Sequence, residues 1–289
     1  IGNFTGGGIN AITKSGTNTF NGSVYYVFRN QALAGTSPQA TLVPGSTTEY
    51  QRTKLPDFTN QTMGIRIGGA LVKNKLFYFL LAELQRDERP QPFDFANYNG
   101  TSNRQSAIDS LSTFLQTKYG YNPGGYLDNA EKVEANRYVG KVDWNVNSNN
   151  KLSVSYRYNN SFRNNVSASN STTINFYNNG YVIPNITQSG ALEFRSNFKN
   201  GSNNRFLFTI TDVKDDRGPL NQPFPRVTLN DGSGRIVFGT DNSSTQNLLK
   251  TTNFVLQDSY KMNVGKHGLT FGTDNELTKA YNVFIQNSF

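Results

Sequence analysis

The sequence predicts an all-β fold, an up-and-down antiparallel β-barrel that crosses a membrane, and three observations predict it. Apolar and polar residues alternate with a period of two over most of the chain, as they do along strands with two different faces. Short turns and long connections follow each other in strict alternation. Aromatic residues make up 13% of a chain that is only 35% hydrophobic, which fits strands whose two faces cancel in any running average.

The composition excludes several classes of protein. The mean hydropathy is −0.57, and no stretch approaches the roughly 18 consecutive apolar residues of a membrane-spanning helix. Cysteine is absent and His267 is the single histidine, which excludes disulfide scaffolds and thiolate metal sites and removes most zinc, haem and serine-hydrolase chemistry. The net charge of +8 comes from scattered Lys and Arg, without the basic stripe that binds nucleic acid.

The alternation predicts nine strands. In the stretch from Leu76 to Gln85, Leu80 and Leu84 share one face with Leu76, and Glu83 lies on the other. The other eight strands are predicted around residues 24–28, 62–71, 137–146, 151–158, 192–199, 206–210, 254–262 and 269–276. A barrel would turn the polar faces to a wet lumen, and their predicted lumen-facing charges are Arg66, Glu83, Lys141, Asp143, Arg157, Glu193 and Arg195. The alternation alone fits a soluble sandwich equally well.

The connections favour the barrel over the sandwich. Tight turns are predicted at 73–75, 147–150, 200–204 and 264–266, and long connections at 31–60, 90–135, 164–185 and 218–250. Loops of that length are rare inside compact soluble domains. A membrane barrel with short periplasmic turns and long extracellular loops has this rhythm.

The long loops contain one predicted helix and most of the candidate ligand-binding residues. Over residues 104–119, Ile108, Leu111, Phe114 and Leu115 recur at spacings of three and four, which predicts a helix. We expect this helix to fold back over the barrel mouth, with contact to a ligand as the alternative. The candidate ligand-binding residues are the loop aromatics Tyr98, Tyr119, Tyr121, Tyr126, Phe176, Tyr177 and Tyr181.

No catalytic constellation is recognisable, and we expect no enzyme activity, no metal site and no cofactor. The carboxylate pairs at 87–88 and 215–216 stand beside arginines, which is typical of charged strand ends at a membrane surface. Calcium binding in the loops is the alternative interpretation, because carboxylates are hard oxygen ligands. Gly232 to Gly234 is predicted to be a turn, since no helix or lysine motif follows it as in a phosphate loop.

Five segments, in chain order, resemble the Oar-like branch of the TonB-dependent outer-membrane transporters. GGGINAITKSGTN, near the start, resembles the end of that family's plug domain, and TFNGSVYYVFRN resembles its first barrel strand. GGALVKNKLFYFLLAELQRDE, NRYVGKVDWNVNSNNKLSVSYRY and DSYKMNVGKHGLTFGTDNE resemble later hairpins. Ala70 stands where the family often has proline.

The resemblance implies a division of the chain. Residues 1–18 would be the C-terminal end of a plug, and residues 19–289 the first nine strands of a plugged barrel of about 22 strands. The chain would then be a fragment, with the signal peptide and the TonB-contacting segment outside it. The implied plug residues are Gly6, Gly7, Gly8, Asn10, Thr13 and Lys14.

The resemblance also implies a function. The protein would import or export a large or scarce ligand across the outer membrane of a Gram-negative bacterium, using energy transmitted by TonB. Its partners would be outer-membrane lipid and, through the missing N-terminal part, the TonB complex, and its ligand a peptide, a protein or a polysaccharide. The alternative from another class is a secreted or surface β-rich adhesin or glycan-binding module without transport.

Overall fold

The computed structural model describes residues 13–36, 54–102 and 104–286. In chain order its elements are β1 (Asn21–Asn30), α1 (Gln31–Ala34), β2 (Thr59–Val72), β3 (Leu76–Arg89), α2 (Gln105–Tyr119), β4 (Glu131–Asn145), β5 (Asn150–Asn165), β6 (Thr173–Asn175), β7 (Tyr181–Asn197), β8 (Asn203–Asp216), β9 (Gly218–Pro219), β10 (Val227–Asp231), β11 (Gly234–Phe238), β12 (Leu248–Val264) and β13 (His267–Val283). Single 3₁₀ turns lie at Phe95–Asn97 and Tyr177–Asn179. Neither helix in this part of the chain is long and apolar enough to cross a membrane.

The nine long strands of the described residues form one antiparallel sheet in the order β1-β2-β3-β4-β5-β7-β8-β12-β13. Each long strand pairs with the next one along the chain, and the two-residue β9 pairs with β7. Within the described residues the sheet is open, because β1 pairs only with β2 and β13 only with β12. The predicted fold, an up-and-down antiparallel barrel wall that is partial, is confirmed.

The short turns of the sheet use the residues that tight turns need. Asn74 (φ 61°) and Gly265 (φ 61°) take the left-handed conformation, which is easiest for glycine and next for asparagine. At the turn before β5, Asn147 Oδ1 accepts hydrogen bonds from the backbone N–H of Asn149 and Asn150, both at 2.9 Å. These local contacts fix the register of the hairpins.

That register places the apolar side chains on one face of the sheet, which we call the apolar face, and the charged ones on the other, the polar face. One row of cross-strand partners runs through Ile67, Leu80, Gly140, Tyr156, Gly190, Ile210, Phe254 and Leu277. Large side chains of the apolar face are uncovered: Leu80 is 47% exposed and Val154 46%. The sheet therefore does not bury this face against any other described part of the chain.

At the ends of the strands far from the short turns, the apolar face gives way to charged residues. There, Arg86 lies 3.4 Å from Glu134 and Lys214 lies 2.8 Å from Asp216. Along β3 the apolar stretch from Leu76 to Leu84 is eight steps, or about 26 Å at about 3.3 Å per residue. That length is close to the apolar band of about 25 Å that membrane barrels show.

Candidate functional site

Three of the long connections at the charged end of the sheet pack together into one small unit. We call it the loop domain, and it comprises residues 91–102, 104–130, 166–180 and 217–247. In it, β11 pairs with β10 antiparallel and with β6 in parallel, so the sheet joins segments from two different connections. All buried hydrophobic residues of the described chain except Phe79 and Ala135 lie in this domain. Its core consists of Tyr98, Ile108, Leu115, Tyr121, Tyr126, Ile174, Phe176, Ile236 and Phe238.

Helix α2 confirms the prediction of a helix at 104–119 and supplies one side of this core. Ile108 and Leu115 are 1% and 3% exposed. The helix ends at Gly120, whose φ of 64° requires a left-handed conformation and whose N–H donates to the Gln116 carbonyl at 3.0 Å. Phe114, which the spacing assigned to the same face, is instead 53% exposed.

A buried carboxylate joins two of the connections. Asp231, at the end of β10, accepts a hydrogen bond from the Tyr98 hydroxyl at 2.9 Å. It also accepts from the backbone N–H of Ser102 at 3.0 Å and from the Ser102 hydroxyl at 2.9 Å. Hydrogen bonds to a charged group are stronger than those between neutral groups. Asp231 therefore ties the segment before α2 to the β10–β11 hairpin.

Buried amides join the connection at residues 166–180 to the one at residues 104–130. Asn129 Nδ2 donates to the carbonyls of Ser167 at 2.6 Å and Asn175 at 2.9 Å. Asn178 Nδ2 donates to the Asn122 carbonyl at 2.6 Å. With Asp231, these contacts make one hydrogen-bonded unit of three connections that are far apart in sequence.

The buried tyrosines of the loop domain have raised pKa values. Burial raises the pKa of Tyr121 to about 12. Burial and, after it, the hydrogen bond to Asp231 raise the pKa of Tyr98. Burial, followed by a 2.7 Å hydrogen bond to the Asp109 carboxylate, raises that of Tyr126. All three hydroxyls stay neutral near pH 7.

The seven loop aromatics predicted to contact a ligand fall into two groups. The first group is in the core of the loop domain with at most 6% exposure, so packing is the role that the structure gives these residues: Tyr98, Tyr121, Tyr126 and Phe176. The second group reaches the surface. Tyr119 is 56% exposed, Tyr177 is half-buried and accepts from Asn164 Nδ2 at 2.6 Å, and Tyr181 lies 5.9 Å from the Arg217 guanidinium.

Two aromatic residues that the sequence did not single out as ligand contacts adjoin Tyr119. Its ring lies 5.8 Å from the exposed Phe114 ring and 6.0 Å from the Phe224 ring. Phe224 in turn stacks on the buried Tyr121 at 4.1 Å. These contacts connect a surface aromatic ridge, Phe114–Tyr119–Phe224, to the rigid core. No periodic pattern in the sequence indicates this ridge, because Phe224 stands alone between two prolines.

The seven predicted lumen-facing charges share the polar face. Glu83 accepts from the Tyr25 hydroxyl at 2.5 Å and from Arg137 at 2.8 Å, and Arg137 also donates to Gln85 at 2.8 Å. Arg66 donates to the Ser23 hydroxyl at 2.7 Å. The other predicted charges lie further along the sheet: Lys141, Asp143, Arg157, Glu193 and Arg195.

Residues 13–18, which we call the entry segment, lie against this polar face. Arg157 donates to the Thr13 hydroxyl at 2.5 Å, and Lys141 donates to the Ser15 hydroxyl at 2.8 Å. A Cβ at Gly16 would collide with the carbonyl oxygens of Tyr78 and Gly69, so glycine permits the close approach. Of the predicted plug residues, Gly6, Gly7, Gly8 and Asn10 lie outside the described residues.

The carboxylate pairs do not form shared sites. Adjacent strand residues point to opposite faces, and Asp87 accepts from Gln85 at 2.7 Å while Glu88 lies 3.5 Å from Lys132. Over residues 13–36, 54–102 and 104–286, no group of three or more Asp, Glu and His residues is arranged to hold a metal ion. The predicted turn at 232–234 is confirmed, since it joins β10 to β11.

Comparison with known proteins finds similarity to outer-membrane barrels. Residues 12–109 match the family model described as the outer membrane beta barrel domain. An 83-residue stretch is 39% identical to the TonB-dependent transporter Oar of Myxococcus xanthus, over 27% of this chain and 7% of that protein.

One solved structure resembles the fold, and a second aligns more weakly. The outer membrane transporter YddB from Escherichia coli aligns with a TM-score of 0.54 and 12% identity, over 80% of this chain and 27% of that one. The siderophore receptor PirA from Acinetobacter baumannii aligns with a TM-score of 0.48 and 15% identity, over 93% of this chain and 31% of that one. This chain thus spans about a third of these structures or less.

Proposed function

We propose that this chain is part of a TonB-dependent receptor or transporter in the outer membrane of a Gram-negative bacterium. The match of residues 12–109 to an outer membrane beta barrel domain and the likeness of the fold to an outer-membrane barrel support this. The protein moves a large or scarce ligand across that membrane with energy transmitted by TonB. Residues 1–18 are the end of its plug and residues 19–289 the first part of its barrel. The likeness of an 83-residue stretch to the transporter Oar supports the proposal.

The observation that carries the proposal is the position of the entry segment. This segment lies on the polar face of the sheet, held by side-chain hydrogen bonds from Arg157 and Lys141. A barrel that only anchors or adheres needs no chain segment inside its lumen. Hydrogen bonds that involve a charged group contribute about 1.5–3 kcal/mol each, and a pulling force on the segment can break these two one at a time.

The loop domain is the proposed outer receptor surface. Its core holds the ridge Phe114–Tyr119–Phe224 rigidly, and rigid exposed aromatics are frequent anchors of binding surfaces. Tyr177 and Tyr181 lie nearer the strands and are the proposed second contact area. A peptide, a protein or a polysaccharide can stack on such rings.

The proposal is tested by contact with TonB, which needs no knowledge of the ligand. The full-length protein, purified in detergent, is expected to bind the periplasmic domain of TonB from the same cell in a surface plasmon resonance measurement. In cells, uptake of labelled peptide and polysaccharide pools is expected to fall on gene deletion and on addition of a protonophore. Absence of both TonB binding and protonophore sensitivity would favour the adhesin alternative instead.

A further inference from the structure

We propose that the polar face contains a binding cleft for an oxyanion, a carboxylate or phosphate group carried by a ligand. The cleft lies between the entry segment and strands β5, β7 and β8 and has a volume of about 490 Å³. That volume lies within the range of about 300–1,000 Å³ that is common for small-ligand sites.

The floor of the cleft consists of small side chains on three neighbouring strands: Ser153, Ser155, Ser189, Ala191 and Thr209. Their size leaves the depression in the wall. Within the described residues, Ser189 bonds to the Thr211 hydroxyl at 3.0 Å, whereas the hydroxyls of Ser155 and Thr209 make no hydrogen bond to another side chain. They are therefore free to donate to an anion.

Two arginines at one end of the cleft share a single carboxylate. Arg195 and Arg205 are direct cross-strand partners on β7 and β8, and like charges in that position repel each other. Arg195 donates to Glu193 at 2.9 Å, and Arg205 also contacts Glu193. One carboxylate neutralises only one guanidinium, and the two arginine side chains remain 60% and 47% exposed. This end of the cleft keeps a positive charge and free N–H donors.

Among the described residues, Arg157 is a further cation without an acidic partner, and it lines the cleft where the entry segment crosses it. Arg157 has a neutral partner there, the Thr13 hydroxyl at 2.5 Å. Lys141, by contrast, is paired with Asp143 at 3.2 Å. With Lys141 set aside because Asp143 neutralises it, the charged lining residues are three cations and one acid: Arg157, Arg195, Arg205 and Glu193. Guanidinium groups match carboxylates and phosphates in a two-pronged geometry, so this excess suits an oxyanion.

The inference that a ligand carries this group into the lumen rests on the proposed function, whereas binding of a free oxyanion does not. The test uses crystals of the full-length protein soaked in selenate, a tetrahedral oxyanion with an anomalous X-ray signal. We expect an anomalous peak in the cleft within hydrogen-bond distance of Arg157, Arg195 or Arg205. Arg157→Gln and Arg205→Gln should lose it, and the second variant leaves the Arg195–Glu193 pair intact.

Arg137→Gln is the matched control. It removes an arginine from the same face whose two terminal nitrogens already donate to Glu83 and Gln85, and it should keep the peak. Heat-dependent migration in gels checks that every variant is folded. A peak unaffected by the cleft variants would mean an adventitious ion only. An empty cleft, or one filled by an acidic side chain of the full-length protein, would also overturn the proposal. Selenate binding without TonB binding would contradict the proposed function and leave the cleft standing.

Discussion

Val154 and Ser155 are neighbours in β5, yet their side chains meet different surroundings. Val154 lies on the apolar face and is 46% exposed there, while Ser155 lines the cleft on the polar face. Strand geometry alone produces this difference, because successive side chains point to opposite sides. In an outer-membrane barrel the first side faces lipid and the second faces the lumen.

The face to which a side chain points predicts how much an introduced charge destabilises the barrel. Val154→Arg or Leu80→Arg should lower the free energy of unfolding of the full-length protein by about 2–4 kcal/mol, the cost of a cation near the bilayer midplane. Ser153→Arg, one position away, should be tolerated. The measurement is denaturant unfolding from lipid vesicles, and equal losses on both faces would contradict the lipid-facing assignment.

Because its buried tyrosines have raised pKa values, the loop domain is expected to unfold locally at alkaline pH. Because burial raises the pKa of Tyr121 from 10.0 to about 12, the unfolded loop loses this proton at lower pH than the folded loop. The neutral Tyr121 hydroxyl therefore stabilises the folded loop domain fully below pH 10, and this contribution is lost as the pH rises from 10 towards 12. Tyrosinate absorbance should therefore rise in a cooperative step as the domain opens. Tyr121→Phe should move that step to higher pH, while Tyr119→Phe, at an exposed position, should leave it unchanged.

At the scale of elements, the sequence predicted what is periodic and long. The nine strands and α2 extend over ten or more residues each, so alternation or helical spacing is visible above chance. Strands β6, β10 and β11 have only three to five residues, too few for alternation to stand out. The pairing of β6 with β11 also joins two different connections, which leaves no local pattern. The prediction that Tyr98 and Phe176 contact a ligand missed their burial, because an aromatic residue in a long loop looks alike in sequence whether it is buried or exposed.

Two adjacent residues of α2 test the loop-domain core. Leu115→Ala should cost about 2–5 kcal/mol of local stability, the range for a large buried aliphatic residue, because Leu115 is 3% exposed. Phe114→Ala should change stability by less than about 0.5 kcal/mol, because Phe114 is 53% exposed. Limited proteolysis of the loop domain in the full-length protein measures both. Faster cleavage in the Phe114 variant than in the Leu115 variant would reverse the assignment of faces.

At the scale of the whole molecule, burial is distributed in an unusual way. The loop domain has a closed apolar core, whereas the much larger sheet leaves its apolar face uncovered and its polar face lined by charges. A soluble protein would bury the first face and expose the second. The arrangement is stable where lipid covers the apolar face and further strands pair with the sheet edges.

Residues 1–289, expressed on their own, are expected not to form a soluble monomer. Within the described residues β1 and β13 each pair on one side only, so each presents a row of unpaired N–H and C=O groups, a template for pairing with other chains. In lipid such groups cost several kcal/mol each, and an open sheet cannot span a bilayer. In water, exposed residues of the apolar face such as Leu80, Trp144 and Tyr156 form a patch far larger than soluble monomers tolerate. The isolated chain should therefore aggregate or require detergent, as judged by size-exclusion chromatography. A monodisperse monomer in plain buffer would mean that the apolar face is buried and that the sheet is half of a soluble sandwich.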